Sequence, residues 1–198
     1  MRRKMASGPE DAMPPDSSVV IDGSHGEGGG QILRTSLTLA VLTGRPIRIE
    51  NVRAGRGRPG LRPQHLTAVR AAAAICGAEL EGDELASQTV AIRPDGAAQS
   101  GHYSFDVMEA AEGGSAGSVG LVLQTVLLPL ALAEGESHLT LHGGTHVAWA
   151  PSASYIEYVF LPTLARMGVH AEMEVVEWGF YPVGGGTVYV RIPGRGSV

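Results

Sequence analysis

The chain has 198 residues, 43% of them hydrophobic, and a net charge of −5, enough to bury the core of one domain or of two tightly fused repeats. The acidic balance argues against nonspecific polyanion binding by the whole surface, and the longest apolar run, Val119 to Ala133, is broken by Gln124 and Pro129 and falls short of the roughly 20 residues that span a bilayer. Lys4 is the only lysine, which excludes a Walker A loop, a lysine adenylate and Schiff-base chemistry.

Residues 1–17 begin with Arg2-Arg3-Lys4 but continue without an apolar segment, so they read as a disordered tail and not as a signal peptide. Val19 to Asp22 alternates as a strand. Gln31 to Leu42 places Leu33, Leu37, Ala40 and Val41 at helical spacing, with Gly44 as a stop signal. Between them lies Gly26-Glu27-Gly28-Gly29-Gly30-Gln31-Ile32-Leu33-Arg34. Glycines admit a close approach of backbone N–H groups to a ligand, and a helix N-terminus adds unpaired donors, so the stretch has the build of a phosphate site. Glu27 would repel a bare phosphate, which suggests a divalent cation of the Mg²⁺ or Mn²⁺ kind between them. The alternative is a tight strand-to-helix turn whose glutamate caps the helix.

Pro46 to Glu50 reads as a half-exposed strand, and Gln64 to Cys76 as a helix with Leu66, Val69, Ala73 and Cys76 on one face, ending at Gly77. From Arg34 to Arg70 the chain holds eight arginines (34, 45, 48, 53, 56, 58, 62 and 70) against one acid, Glu50. Arginine's planar fork suits phosphate oxygens; a solvated arginine-rich face is the other reading. Ala78 to Leu80 and Gln88 to Ile92 supply two further strands, completing a βαβαββ unit. Cys76 stands alone in an Ala-rich helix, which excludes an intramolecular disulfide and points to a buried thiol in a reducing cytoplasm.

The same order recurs. A strand from Tyr103 to Val107 leads to a second glycine cluster, Gly113-Gly114-Ser115-Ala116-Gly117, and a helix from Ser118 to Ala133. His138 to His142 forms a strand, Ser152 to Met167 a helix stopped by Gly168, and Val169 to Val176 and Thr187 to Ile192 the last two strands. The expected fold is therefore α/β (α+β): tandem βαβαββ repeats over 18–95 and 101–194, each a four-stranded sheet packed on two helices. His138, His142 and His146 are evenly spaced, but the first two lie on a strand and Gly143-Gly144 bends the chain before the third, so a zinc site is not expected. His25, beside the glycine loop, reads as a solvent-facing turn residue, with a ligand contact as the alternative.

Glu27 to Arg34, taken with Arg53-Ala54-Gly55-Arg56-Gly57-Arg58-Pro59-Gly60-Leu61-Arg62-Pro63-Gln64-His65-Leu66, resembles the RNA 3′-terminal phosphate cyclase family. Gly117, Leu123-Gln124-Thr125, Gly143-Gly144-Thr145, Gly179-Phe180-Tyr181-Pro182 and Gly184-Gly185-Gly186 support the resemblance, which runs from Val19 to Pro193. It implies ATP-dependent conversion of an RNA 3′-phosphate to a 2′,3′-cyclic phosphate through an enzyme-histidine adenylate and an RNA adenylate. It further implies that Glu27 holds a divalent metal on the ATP phosphates. Gly28, Gly29, Gly30, Arg34, Arg53, Arg56, Gln64 and His65 would form the nucleotide and phosphate pocket, with Gln124 on the adenylate side.

Members of that family carry a third repeat and an inserted small domain after the glycine triplet near Gly184, so two of three repeats are expected here and the adenylated histidine is expected beyond residue 198. His25, His102, His138, His142, His146 and His170 do not match its motif. The family also tends to place an acid or amide and then proline where this chain has His146 and Ala148, and aspartate where Ser154 stands. The expected partner is RNA with a 3′-phosphate end, with a second copy or a complementing C-terminal polypeptide covering surfaces left by the missing repeat, and no membrane. A noncatalytic RNA-binding or rRNA-processing protein on the same fold is the alternative, although the retained Glu-Gly-Gly-Gly-Gln pattern favours the enzyme.

Overall fold

The computed structural model describes residues 18–109 and 116–195; the tail read over 1–17 and the Gly113-Gly114-Ser115 part of the second glycine cluster lie outside the described residues. β1 (Val19–Asp22) leads through the glycine loop into α1 (Gly30–Thr43), which ends at Gly44 with φ 65°. β2 (Ile47–Glu50) follows, then the arginine loop and α2 (Pro63–Cys76), whose proline occupies the first turn where no N–H is needed. β3 (Glu79–Glu81) and β4 (Val90–Arg93) complete a sheet in the order β1-β2-β4-β3, with β1 parallel to β2 and the other pairs antiparallel.

The second half repeats this plan. β5 (His102–Asp106), α3 (Val119–Leu132) and β6 (Ser137–Gly143) are followed by a helical stretch and then β7 (Glu172–Glu177) and β8 (Gly186–Ile192), in the order β5-β6-β8-β7. Again the first pair is parallel and the rest antiparallel. Ile47 and Ile49 of β2 and Val90 and Ile92 of β4 bury one sheet face against the helices, while Arg48 pairs with Glu50 and Glu81 on the other. This is the period-two pattern of a sheet with one solvated face.

The helical stretch read as Ser152 to Met167 is divided into α4 (Ala153–Tyr155), a π-helical segment (Ile156–Phe160) and α5 (Leu161–Ala165). Pro162 has no N–H for the Tyr158 carbonyl, and the N–H of Leu161 bonds Ile156 O five residues back. The strand read from Val169 begins at Glu172, because Val169 N–H bonds Leu164 O at the end of the preceding helix, and two strand starts of the first half also move for identifiable reasons. Ala78 N–H bonds Ala73 O as part of the α2 cap, so β3 begins one residue later; Gln88 O accepts from Val52 N–H in the arginine loop, so β4 begins at Val90.

One hydrophobic cluster runs through both halves, from Leu33, Leu37 and Val41 of α1 and Val69 and Ile75 of α2 to Val122, Val126 and Leu130 of α3 and Leu139, Val188 and Val190 of the second sheet. α3 contains Pro129, which cannot donate to the Thr125 carbonyl four residues earlier. The Thr38 hydroxyl of α1 lies 2.9 Å from that carbonyl and 3.0 Å from Arg34 O. A side chain of the first half thus meets the acceptor that a proline of the second half leaves open. Because β1 and β2 are parallel and both end at the same edge of the sheet, the glycine and arginine loops that follow them meet there, the usual ligand-binding edge of parallel strands.

Candidate anion-binding site

The two loops face each other across a cleft of about 580 Å³ lined by Glu27, Gly29, Gly30, Gln31, Arg34, Arg53, Arg56, Gln64, His65, Leu121 and Trp149. Eight of the ten site positions read from the sequence therefore line one cleft. Gly28 adjoins them, with φ 58° and Gly55 N packed close to its Cα side. Gln124 reaches the site indirectly: its Oε1 accepts from Arg34 Nε at 3.0 Å.

Asp22 fixes the entry to the glycine loop. Its Oδ1 accepts from Ser24 N–H at 2.9 Å and from Asn51 Nδ2 at 3.2 Å, which ties the end of β1 to the start of the arginine loop. These bonds hold the Asp22 carboxyl below its usual range, chiefly through the Ser24 backbone donor. Asn51 and Arg53 both adopt left-handed φ, at 55° and 56°. Arg53 Nη1 donates to Arg58 O at 2.9 Å and Gly60 O at 2.8 Å, so the loop wraps its own guanidinium. Gly60 N–H bonds Val52 O and Leu61 N–H bonds Ser87 O, pinning the loop to the β3–β4 connection.

Arg34 and His65 form the buried floor, 7% and 5% exposed. Arg34 Nη2 donates to Gln31 Oε1 at 3.1 Å. His65 Nδ1 accepts from Arg62 N–H at 3.3 Å, which leaves Nε2 as the protonated nitrogen of a neutral ring. A Cβ on Gly30 would overlap His65 Nε2 and lie 2.8 Å from Arg34 Nη1, so glycine is needed there for close approach. Burial first, then the positive charges of Arg53, Arg34 and Arg62, push the His65 pKa down to about 3. Burial also lowers the Arg34 pKa, and burial with Arg62 and Arg56 lowers that of Arg53. No ion pair links Arg34 or Arg53 to an acid among the described residues. The floor is an uncompensated positive field, which an anion would relieve.

Arg56 differs, because it pairs with Glu27. Glu27 is the one carboxylate lining the cleft, with 81% of its side chain exposed. No group of three or more His, Cys, Asp or Glu side chains suited to a metal occurs among the described residues. The donor set thus fits a divalent ion carried by one carboxylate and completed by ligand phosphate oxygens and water, the usual habit of Mg²⁺. The rest of the arginine-rich stretch disperses: Arg48 pairs with Glu50 and Arg70 with Asp83, away from the cleft.

The second-half motifs serve packing. Thr145 N–H donates to Gly179 O at 2.9 Å and Gly179 N–H to Thr145 Oγ1 at 3.0 Å, a backbone crossing so tight that a Cβ on Gly179 would strike Gly186. His146 and Ser154, both departures from the family pattern, are bonded to each other through Nε2 and Oγ at 3.1 Å, and the imidazole tilts against Trp178 with ring centres 4.8 Å apart. His142 bonds Thr187 and His138 bonds Glu136, so the three evenly spaced histidines take separate partners. His25 is exposed, and Cys76 is buried with its thiol directed at Ala72 O.

Sequence reading assigned no site role to Gln31, Leu121 or Trp149, which also line the cleft, and missed the Asp22–Asn51 tie. An aspartate at a strand end with serine two residues on is an Asx-turn signal that could have exposed the tie; nothing local marks Trp149. No helix among the described residues is long and apolar enough to cross a membrane.

A sequence profile of the RNA 3′-terminal phosphate cyclase family matches residues 25–197. Proteins named RNA 3′-terminal phosphate cyclase are 60% identical over 174 residues in Trichormus variabilis (88% of this chain, 50% of that protein), 59% identical over 174 residues in Methylococcus capsulatus (88% and 48%) and 52% identical over 168 residues in Salmonella agona (85% and 47%). The chain spans about half the length of these relatives. Profile, relatives and the paired βαβαββ units agree: the chain belongs to the RNA 3′-terminal phosphate cyclase family.

Proposed function

We propose that this chain forms the phosphate-binding part of an ATP-dependent RNA 3′-terminal phosphate cyclase, a ligase-class enzyme that converts an RNA 3′-phosphate to a 2′,3′-cyclic phosphate. The observation that carries this reading is the buried Arg34 guanidinium, without an acid partner among the described residues, beside a neutral His65 whose Nε2 proton borders the cleft. Arg34, Arg53 and Arg56 would neutralise phosphate oxygens, and His65 would donate a neutral hydrogen bond. The glycine loop gives backbone N–H groups access, and Glu27 would exchange Arg56 for Mg²⁺ or Mn²⁺. A bound divalent ion supplies charge neutralisation on the ATP phosphates. Such transfers depend mainly on positioning and on neutralising charge, which this set provides.

No histidine of the 198 residues matches the one that the family adenylates, so the chain binds ATP and the RNA end without completing the reaction. Equilibrium dialysis with labelled ATP and Mg²⁺, followed by denaturing electrophoresis, tests this. Retention of ATP that Arg34→Gln abolishes, with no covalent label, is expected. Failure to retain ATP would sink the nucleotide reading, and covalent AMP on the chain would show that it carries its own nucleophile.

A further inference from the structure

Trp149 is fully exposed, yet it lines the same cleft as Glu27, Arg34, Arg53 and Arg56, next to Leu121. Its backbone sits at φ 65°, in the left-handed region that a bulky residue rarely adopts. Strain of that kind collects at ligand sites, and an unburied indole gains nothing from the fold in return. The cleft is otherwise poor in groups able to read a base. Gln31 is engaged at both ends, its Oε1 by Arg34 and its Nε2 by Thr35 at 2.9 Å, and Gln64 Oε1 accepts from Ser118 N–H at 3.0 Å. The guanidiniums suit phosphate oxygens, and Trp149 brings a flat aromatic face to the rim.

We propose that Trp149 is a stacking platform for the nucleobase of a nucleoside whose phosphate rests on Arg34, Arg53 and Arg56. This rests on the phosphate reading above. Stacking is tolerant of base identity, because every base presents a π-face, so Trp149 sets affinity and orientation and not sequence preference.

The chain has two tryptophans, so Trp178→Phe leaves Trp149 as the only indole reporter. This variant is titrated with ATP, with a 3′-phosphorylated trinucleotide and with inorganic tripolyphosphate, following fluorescence, and affinities are compared with those after Trp149→Ala and Trp149→Phe. At least one base-bearing ligand quenches Trp149 and binds the alanine variant about tenfold more weakly, with phenylalanine recovering most of the loss. Tripolyphosphate binds parent and alanine variant alike without quenching. Quenching by ATP alone assigns the base to the nucleotide, and quenching by the trinucleotide alone assigns it to the RNA end. Undiminished binding of both base-bearing ligands to Trp149→Ala, still lost in Arg34→Gln, would overturn the stacking role while leaving the phosphate site intact. No binding of any ligand to the parent would overturn both.

Discussion

At the scale of single residues, Gly30 packs so closely on His65 and Arg34 that no side chain fits there. Gly30→Ala would force a methyl into His65 Nε2, so the variant should lose ATP retention at least tenfold even where circular dichroism finds the fold preserved; unchanged retention would mean that the helix start yields freely. His65 adds a pH signature. Its folded pKa of about 3 lies below the ordinary value of 6.5, so between those limits the unfolded chain binds more protons. Its stabilising contribution is complete above about pH 6.5 and is lost as pH falls toward 3. His65→Gln, which keeps a polar side chain without an ionisable ring, should therefore flatten the decline of melting temperature across that window. An identical decline in both proteins would show that the carboxylates alone govern it. The residues read as phosphate contacts gather at one cleft because the glycine and arginine motifs are local. Leu121 and Trp149, two of the cleft residues missed, come from the other half of the chain and reach the cleft only through packing.

At the scale of elements, the arginine loop and α3 each contain a device whose failure is measurable. Arg53→Lys keeps the charge, but its ammonium ends one bond short of the Nη1 that donates to the carbonyls of Arg58 and Gly60. The loop should then open locally, and limited trypsin digestion should cut after Arg56 several times faster than in the parent, with little change in melting temperature; equal digestion rates would contradict the guanidinium's role in closing the loop. Where α1 meets α3, Thr38→Val would leave the Thr125 carbonyl without its hydroxyl partner and cost about 1–3 kcal/mol, while conserving shape and branching. Pro129→Ala restores an N–H for the same carbonyl, so in that background the Thr38→Val loss should shrink by more than half, as a double-mutant cycle would register. Equal losses in both backgrounds would mean that Thr38 acts elsewhere.

Strands and helices emerged from periodicity because their apolar faces are regular, and β2 and α2 fall within one residue of expectation. The π-helical segment did not. Pro162 is a local sign of a break that the reading of one helix over Ser152 to Met167 passed over, and whether a proline ends, kinks or widens a helix depends on the neighbours that satisfy the freed carbonyl, which are not local.

At the scale of the whole molecule, the two βαβαββ halves are joined by a shared core and by polar ties that converge on the site: Arg34 to Gln124, Thr38 to Thr125 O, and Gln64 to the start of α3 at Ser118 N–H. The second half thus supports the floor of a cleft whose cationic residues all come from the first. That division explains why the Gly143-Gly144-Thr145 and Gly179 motifs, equally visible in the sequence, turn out to build a backbone crossing. A short motif records that backbone passes closely by something; only the fold tells whether that something is a ligand or another strand.

The decisive comparison is the affinity of the chain for one RNA oligonucleotide carrying either a 3′-phosphate or a 3′-hydroxyl, measured across a salt series, with Arg34→Gln alongside. A phosphate site built on Arg34, Arg53 and Arg56 predicts at least tenfold tighter binding of the phosphorylated end, loss of that preference in Arg34→Gln, and a steeper salt dependence for the phosphorylated RNA. Equal affinity for both ends, unchanged by Arg34→Gln, would contradict it and favour a protein that holds RNA without reading its terminus.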